Sequence, residues 1–136
     1  QNDFIMVSNT YPVIGINVQD KICYVLIDTG SGVNMIDESV IKSKDILEAE
    51  SIINSFAGNF KLTGLYINKC SYNWRQISNF LVGNIKQTLR QISIKTNVEV
   101  VGILGTPAIK ELGMVIDLSR GIVTINKNSA TTVSTD

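Results

Sequence analysis

The most constraining feature of the chain is an apolar run that ends abruptly in an acid. Residues 22–27 read Ile-Cys-Tyr-Val-Leu-Ile, and residues 28–32 read Asp-Thr-Gly-Ser-Gly. A short apolar run that is bounded by glycines predicts a buried strand. We expect Gly30 and Gly32 to supply backbone freedom for a sharp turn and, since they lack a Cβ, to let another chain or a ligand approach. A rigid strand would thus hold Asp28 at a tight turn, as an active carboxylate requires.

The composition fits one small globular domain. The chain has 136 residues, 44% of them hydrophobic, and 12 basic residues balance 12 acidic ones. This length and apolar content predict a single domain with an ordinary core. A net charge of zero gives no reason to expect a nucleic-acid partner. No apolar run approaches the roughly 18 residues of a membrane helix, so we expect no membrane partner either.

The absence of histidine excludes several reaction classes. Neither a Ser-His-Asp nor a Cys-His arrangement can form, and a histidine-based metal site cannot form either. Cys23 and Cys70 make no disulfide framework and lack the spacing of a zinc site, so we expect both to be buried thiols. We predict no cofactor and no metal. Acid–base chemistry must then come from carboxylates, lysine, tyrosine or cysteine.

The first half of the chain shows strand patterns. Residues 13–18 predict a strand that pairs with residues 22–27 across a three-residue loop, Gln19-Asp20-Lys21. Residues 4–7 predict a short edge strand. Residues 37–42 begin with acids and predict one or two helical turns.

A second hairpin is predicted between residues 51 and 68. Residues 52–53 and 62–67 are strand-like, and Gly58-Asn59 between them is a turn signal. Taken alone, this segment describes either an ordinary surface hairpin or one whose tip folds over a cleft.

The second half combines strands with short helices. We predict strands at 77–82 and 98–104, and an amphipathic helix at 84–94 in which apolar residues recur at helical spacing. Gly102 in the second of these strands and Gly105 directly after it indicate a close approach to another backbone.

The C-terminal part carries clear helix signals. Thr106 as N-cap, Pro107 at the first helical position and Gly113 at the end predict a helix over 107–112. A closing hairpin follows at residues 114–118 and 122–125, where we interpret Asp117 as a structural turn residue. Residues 127–136 are rich in serine and threonine and predict a disordered tail, which leaves residues 1–126 as the domain.

Taken in order, these features resemble the retropepsin-like aspartic proteases. Asp28-Thr29-Gly30 follows an apolar strand, a candidate flap tip comes about 28 residues later, and Ile103-Leu104-Gly105 precedes a short helix and a hairpin. The similarity covers roughly residues 11–125, and Thr106-Pro107 is closer to cellular and bacterial members than to viral ones. The resemblance implies a mainly all-β fold, a closed or partly open acid-protease β-barrel with short helices and one lobe per chain.

The same resemblance implies an aspartic endopeptidase that needs no cofactor. Asp28 would be the catalytic residue, and Thr29 and Gly30 would support the catalytic turn. Thr29 would bond across a two-fold axis, and Gly30 would leave room for a substrate backbone. The residues that the resemblance assigns to substrate or flap contacts are Ser31, Phe56, Ala57, Gly58 and Asn59.

A single carboxylate cannot perform this hydrolysis. One group must accept a proton from water while another donates one to the substrate. Two carboxylates about 3 Å apart cannot easily both ionise and so share a proton, the established behaviour of aspartic-protease dyads. Because the chain has one Asp-Thr-Gly, the resemblance implies a homodimer acting on a peptide or protein. The alternatives are a catalytically silent peptide-binding or dimerisation domain of the same fold, and one domain of a longer precursor.

Overall fold

The computed structural model describes residues 2–47, 62–66 and 70–126. Its elements are mostly strands, joined by short turns. Within these residues the strands are β1 (Asn2–Ile5), β2 (Val13–Val18), β3 (Lys21–Ile27), β4 (Met35–Asp37), β5 (Leu62–Tyr66), β6 (Cys70–Tyr72), β7 (Arg75–Ile77), β8 (Phe80–Gly83), β9 (Val100–Leu104), β10 (Val115–Asp117) and β11 (Ile122–Ile125). The helices are α1 (Arg90–Thr96) and α2 (Thr106–Leu112), with 3-10 turns at Glu38–Val40 and Ser43–Asp45. None of the helices in the described ranges could cross a membrane.

The strands form two sheets. The larger has the order β5-β8-β4-β9-β3-β2-β6-β7, and the smaller has the order β1-β11-β10. At the centre of the larger sheet β3 runs parallel to β9, while β4 runs antiparallel to β9 and parallel to β8. This mainly β architecture with two short helices confirms the predicted fold class.

Strand β3 buries one face fully and the other in part, and apolar contacts on both faces explain its uninterrupted apolar sequence. Val25 and Ile27 belong to a large cluster inside the sheet, which we call the inner cluster. Tyr24 and Leu26 point to the opposite face and pack on a second group, which we call the outer cluster. Its buried members are Val13, Met35, Leu81, Ile85, Leu89 and Val100.

Both cysteines are free and buried in the inner cluster, as predicted. Burial raises the pKa of Cys70 to about 12, so its thiol stays protonated at neutral pH. Burial also raises the pKa of Cys23. These side chains therefore serve as small apolar core residues.

Two predicted hairpin features are wrong in detail. The β2–β3 loop has two residues instead of three, because Lys21 pairs with Val18. Its residues, Gln19 and Asp20, have φ of 51° and 65°, as the favoured two-residue hairpin turn requires. The strand predicted at 77–82 is in fact divided between β7 and β8, because Asn79 turns the chain with φ of 51°.

The predicted helix at 84–94 begins later and ends later than expected. Residues 86–89 form turns, and α1 starts at Arg90. The buried Asp37 carboxylate accepts hydrogen bonds from the backbone N–H groups of Ile85 (3.0 Å) and Lys86 (2.8 Å), which fixes this entry segment. The apolar spacing that predicted a longer helix reflects burial of Ile85 and Leu89 in the outer cluster.

The helical turns predicted for residues 37–42 are reduced to a single 3-10 turn, and the same carboxylate is the reason. Asp37 ends strand β4 and accepts a hydrogen bond from the N–H of Ser39, so it caps a single 3-10 turn. The N-terminal edge strand likewise is shifted, because β1 pairs with β11 over residues 2–5.

The C-terminal signals are largely confirmed. Pro107 lies in the first turn of α2, and Gly113 ends it with φ of 58°. The N-cap is Gly105, however, and Thr106 is already helical. Asp117 accepts hydrogen bonds from the side chains of Ser119 and Arg120, which confirms its structural role. The predicted tail, residues 127–136, lies outside the described residues.

The end of β9 passes directly against the chain that precedes β4. A Cβ on Gly105 would lie 2.1 Å from the carbonyl oxygen of Val33 and 2.8 Å from that of Ser31. Both neighbours are backbone atoms, so they cannot rotate away. Glycine at position 105 is therefore required by this close approach.

We expect Gly105→Ala to destabilise the fold by about 3 kcal/mol, because backbone atoms would have to separate. Gly32→Ala is the matched control: nothing lies within 4 Å of a Cβ there, so the change should stay within about 0.5 kcal/mol. Urea unfolding of both variants measures the difference. Equal stability of the two variants would contradict the described crossing.

The free energy of unfolding should depend on pH because the pKa of Asp37 is shifted in the folded protein. Burial alone would raise its pKa, but hydrogen bonds from the Ser39 side chain and from the backbone of Ser39, Lys86 and Ile85 outweigh burial and lower it below the ordinary 3.8. A lowered folded-state pKa gives stability that is complete above the unfolded value and is lost as the pH falls through the folded value.

We expect Asp37→Asn to cost about 1–3 kcal/mol near neutral pH, and the deficit to shrink as the pH falls below about 4. Denaturant unfolding between pH 7 and pH 2.5 measures this. Asp20→Asn, the same chemical change in an exposed hairpin turn, should show little deficit at any pH. A deficit for Asp37→Asn that does not vary with pH would refute the assignment.

Candidate active site

Asp28 follows β3 directly and is fixed by backbone hydrogen bonds on both sides. Its N–H donates to the carbonyl of Leu104 at the end of β9 (2.9 Å), and its carbonyl accepts from the N–H of Ser31 (3.1 Å). Its side-chain Oδ1 accepts from the N–H of Gly30 (2.9 Å). The sheet therefore sets the position of the turn, and the turn orients the carboxylate.

The structure contradicts one of the two roles that the sequence predicted for the glycines of this turn. Neither Gly30 nor Gly32 has a positive φ, so neither needs the backbone freedom that only glycine offers. A Cβ on Gly30 would lie 3.3 Å from Oδ1 of Asp28. Gly30 thus provides space beside the carboxylate, while nothing within 4 Å restricts position 32.

The surface of the turn is accessible. Asp28 is half-buried, and Thr29 and Gly30 are exposed. One oxygen of the carboxylate faces its own turn, and the two residues that follow Asp28 are exposed. A lone carboxylate of this kind can accept a proton, but it cannot accept and donate protons at the same moment.

The hydroxyl and the carbonyl of Ser31 both make hydrogen bonds to neighbouring backbone. Its hydroxyl donates to the carbonyl of Val33 (2.8 Å), and its carbonyl accepts from the N–H of Thr106 (2.8 Å). These bonds tie the turn to the start of α2. The contacts of Ser31 are thus those of a supporting residue.

Asn34 is a supporting residue that the sequence analysis missed. It is 3% exposed, and its Oδ1 accepts from the N–H groups of Gly105 (3.0 Å) and Ala108 (3.3 Å). Its Nδ2 donates to the carbonyls of Ser78 (3.3 Å) and Asn79 (3.4 Å). The available signal was one amide within the otherwise apolar run of residues 33–36, since a buried polar group requires partners.

The predicted flap residues cannot be compared with this geometry. Phe56, Ala57, Gly58 and Asn59 lie outside the described residues. Of the predicted hairpin at 51–68, the structure describes β5, which pairs antiparallel with β8.

A separate polar groove lies away from the Asp28 turn. It has a volume of about 870 Å³ and lies between the Glu38–Val40 turn and the segment that contains α1. The residues that line it carry charges of both signs, including Lys86, Arg90 and Glu99. Residues 28–31 do not line it. Among the described residues, cysteine and acidic side chains form no cluster of three or more that could hold a metal ion.

The chain is similar to known proteins in its structure and not detectably in its sequence. A scan against protein-family models and a search of curated proteins find no match. The structure is similar to the crystal structure of the retroviral protease-like domain of Ddi1 from Leishmania major, with a TM-score of 0.62 and 13% identity. That similarity covers 85% of this chain and 87% of the Ddi1 domain.

Two further crystal structures are similar at lower TM-scores. One is a retropepsin-like aspartic protease from Rickettsia conorii, with a TM-score of 0.49, 13% identity and coverage of 90% of this chain and 87% of that one. The other is EIAV protease in complex with the inhibitor HBY-793, with a TM-score of 0.44, 16% identity and coverage of 79% and 92%. The similarity to the Ddi1 domain shows that this chain has the fold of a retroviral protease-like domain.

Proposed function

We propose that the protein is an aspartic endopeptidase whose catalytic residue is Asp28. The observation that carries the proposal is the accessible carboxylate at the end of a buried central strand, in a turn that is hydrogen-bonded to β9. The retroviral protease-like fold supports the same reading. The protease domain would comprise residues 1–126, with residues 127–136 as a tail.

The active site would be completed by a second copy of the chain. The chain has one Asp-Thr-Gly triplet, and hydrolysis requires a proton acceptor and a proton donor together. A two-fold axis beside the turn would bring Asp28 next to its equivalent in the partner. The exposed Thr29 would then bond across the axis and hold the two turns together.

The reaction would proceed by direct attack of water. One carboxylate accepts a proton from water as the water oxygen bonds to the peptide carbonyl carbon, and the other donates its proton to the carbonyl oxygen. The C–N bond then breaks, and a proton passes to the leaving nitrogen. No covalent bond to the enzyme forms at any stage.

The substrate would be an extended peptide. Extended chains bind proteases and related proteins through strand-like backbone hydrogen bonds. Gly30 leaves space next to the carboxylate for such a backbone. The residues predicted from sequence for substrate and flap contacts, Ser31 and residues 56–59, are part of this proposal.

We expect Asp28→Asn to lower peptide cleavage by about 10³-fold or more, because the amide can neither accept nor donate the required proton. Cleavage of a diverse peptide library between acid and neutral pH measures the loss. Asp20→Asn, at the opposite end of β3, is the matched control and should retain activity. Circular dichroism should show that both variants stay folded. Unchanged cleavage by folded Asp28→Asn would refute the catalytic role, and no cleavage by the wild type would favour a silent binding domain.

A mixing experiment tests the shared site. In equal mixtures of wild-type and Asp28→Asn chains, random pairing leaves about one quarter of the dimers with two acids. We therefore expect activity to fall to about one quarter of the value for wild type at the same total concentration. A fall to about one half would indicate that each chain acts alone.

A further inference from the structure

The face of the sheet that carries Asp28 presents a half-buried apolar surface. Side chains alternate along a strand, so Tyr24 and Leu26 point to the same face of β3. Asp28 lies one residue beyond β3, but its N–H still bonds to Leu104 of β9, so we infer that the alternation continues and places Asp28 at the end of this face. Leu26 pairs with Ile103 of β9 in parallel register, and both are half-buried members of the outer cluster. A peptide that reaches Asp28 along this face would pass over these side chains.

Helix α1 packs on the same face. Its residue Ile92 belongs to the outer cluster together with Leu26 and Ile103. The hydroxyl of Ser93 accepts a hydrogen bond from the N–H of Val100 (2.9 Å), which fixes the helix to the start of β9. The helix therefore forms a wall beside the apolar surface.

Tyr11 connects this wall to the region of Asp28. The N–H of Ile27, the residue before Asp28, donates to the carbonyl of Pro12 (2.8 Å), so the chain at Tyr11–Pro12 runs beside the end of β3. The Tyr11 ring is half-buried and packs on the outer cluster. Its hydroxyl accepts a hydrogen bond from Nζ of Lys95 in α1 (3.3 Å).

Lys95 thus brings a positive charge to the edge of this surface. Its ammonium lies 5.6 Å from the centre of the Tyr11 ring, the side chain is exposed, and an ammonium has three donors of which the hydroxyl takes one. The acid nearest to Lys95 in the sequence is Glu99, and Glu99 is paired with Lys86 at 2.8 Å.

We propose that Lys95, positioned by Tyr11, makes this endopeptidase prefer peptides that carry an aspartate or glutamate side chain near the scissile bond. The inference rests on the proposed function and adds the substrate class. An exposed ion pair contributes modestly, so the preference for an acid over its amide should be about two- to fivefold in kcat/KM. It should weaken as the salt concentration rises.

Matched peptides test the proposal. Each pair differs only by glutamate or glutamine, placed in turn at every position around the cleaved bond. Wild type should prefer glutamate at one position, Lys95→Met should lose that preference, and Lys95→Glu should favour lysine there. Tyr11→Phe should weaken the preference without reversing it, and the effect should fall on KM rather than kcat. Lys21→Glu, an exposed change at the far end of β3, is the control and should match wild type.

Two results would overturn the proposal: wild type that cleaves glutamate and glutamine peptides equally at every position, or Lys95→Glu with the wild-type profile. If wild type cleaves no peptide, the proposed function fails, and binding then decides the subsite. Fluorescently labelled glutamate and glutamine peptides are titrated into Asp28→Asn with and without Lys95→Glu. Tighter binding of the glutamate peptide that disappears with Lys95→Glu supports the cationic subsite, and equal or absent binding rejects it.

Discussion

The Asp28 turn depends on the crossing of two chain segments at Gly105. The end of β9 lies so close to residues 31–33 that a single methyl group would not fit between them. Asn34 bridges the same crossing, since its side-chain oxygen accepts from the backbone of Gly105 and of Ala108. The buried N–H of Gly105 thereby has a partner, and the N–H of Ala108 gains a second one besides the carbonyl of Gly105. The crossing therefore holds β9, the start of α2 and the loop before β4 as one unit.

The position of the carboxylate follows from this unit. Asp28 is tied through its N–H to Leu104, the residue immediately before Gly105, so the strand end and the crossing share one support. The half-buried Asp28 and the exposed Thr29 and Gly30 follow directly after this support. A rigid support beneath an accessible acid is what a proton-transfer site requires, because catalytic groups must keep their geometry while the substrate changes. Helix α1 and Tyr11 add a charged edge that the central crossing does not need, so the proposed preference for acidic peptides would be separable from the support of the acid.

Much of this could be predicted from sequence because local signals and the fold agree. The uninterrupted run at 22–27 indicated a buried strand, which β3 confirms with one face buried and the other half-buried toward Asp28, and Pro107 and Gly113 bounded a helix correctly. The errors occur where a distant side chain decides local structure. Residues 84–89 have helical spacing, yet the Asp37 carboxylate, about fifty residues away in the chain, takes two of their N–H groups. The role of Asn34 was missed because its hydrogen-bond partners, Gly105, Ala108 and Ser78, are far away in the sequence. The amide in an apolar run indicates that partners are needed, but the local sequence does not show which residues they are. Of the two roles predicted for Gly30 and Gly32, backbone freedom is contradicted because neither has a positive φ, while the space expected at Gly30 agrees with the 3.3 Å between a Cβ at this position and Oδ1 of Asp28.

The proposed endopeptidase mechanism requires that two chains meet at Asp28. A crystal structure of the protein with a non-hydrolysable peptide analogue measures this directly, through the separation of the two nearest Asp28 carboxylates. We expect two chains related by a two-fold axis, with the nearest oxygens of the two Asp28 carboxylates about 3 Å apart and facing the analogue. A structure in which the analogue binds elsewhere, or in which each Asp28 faces away from the second chain, would contradict the proposed mechanism.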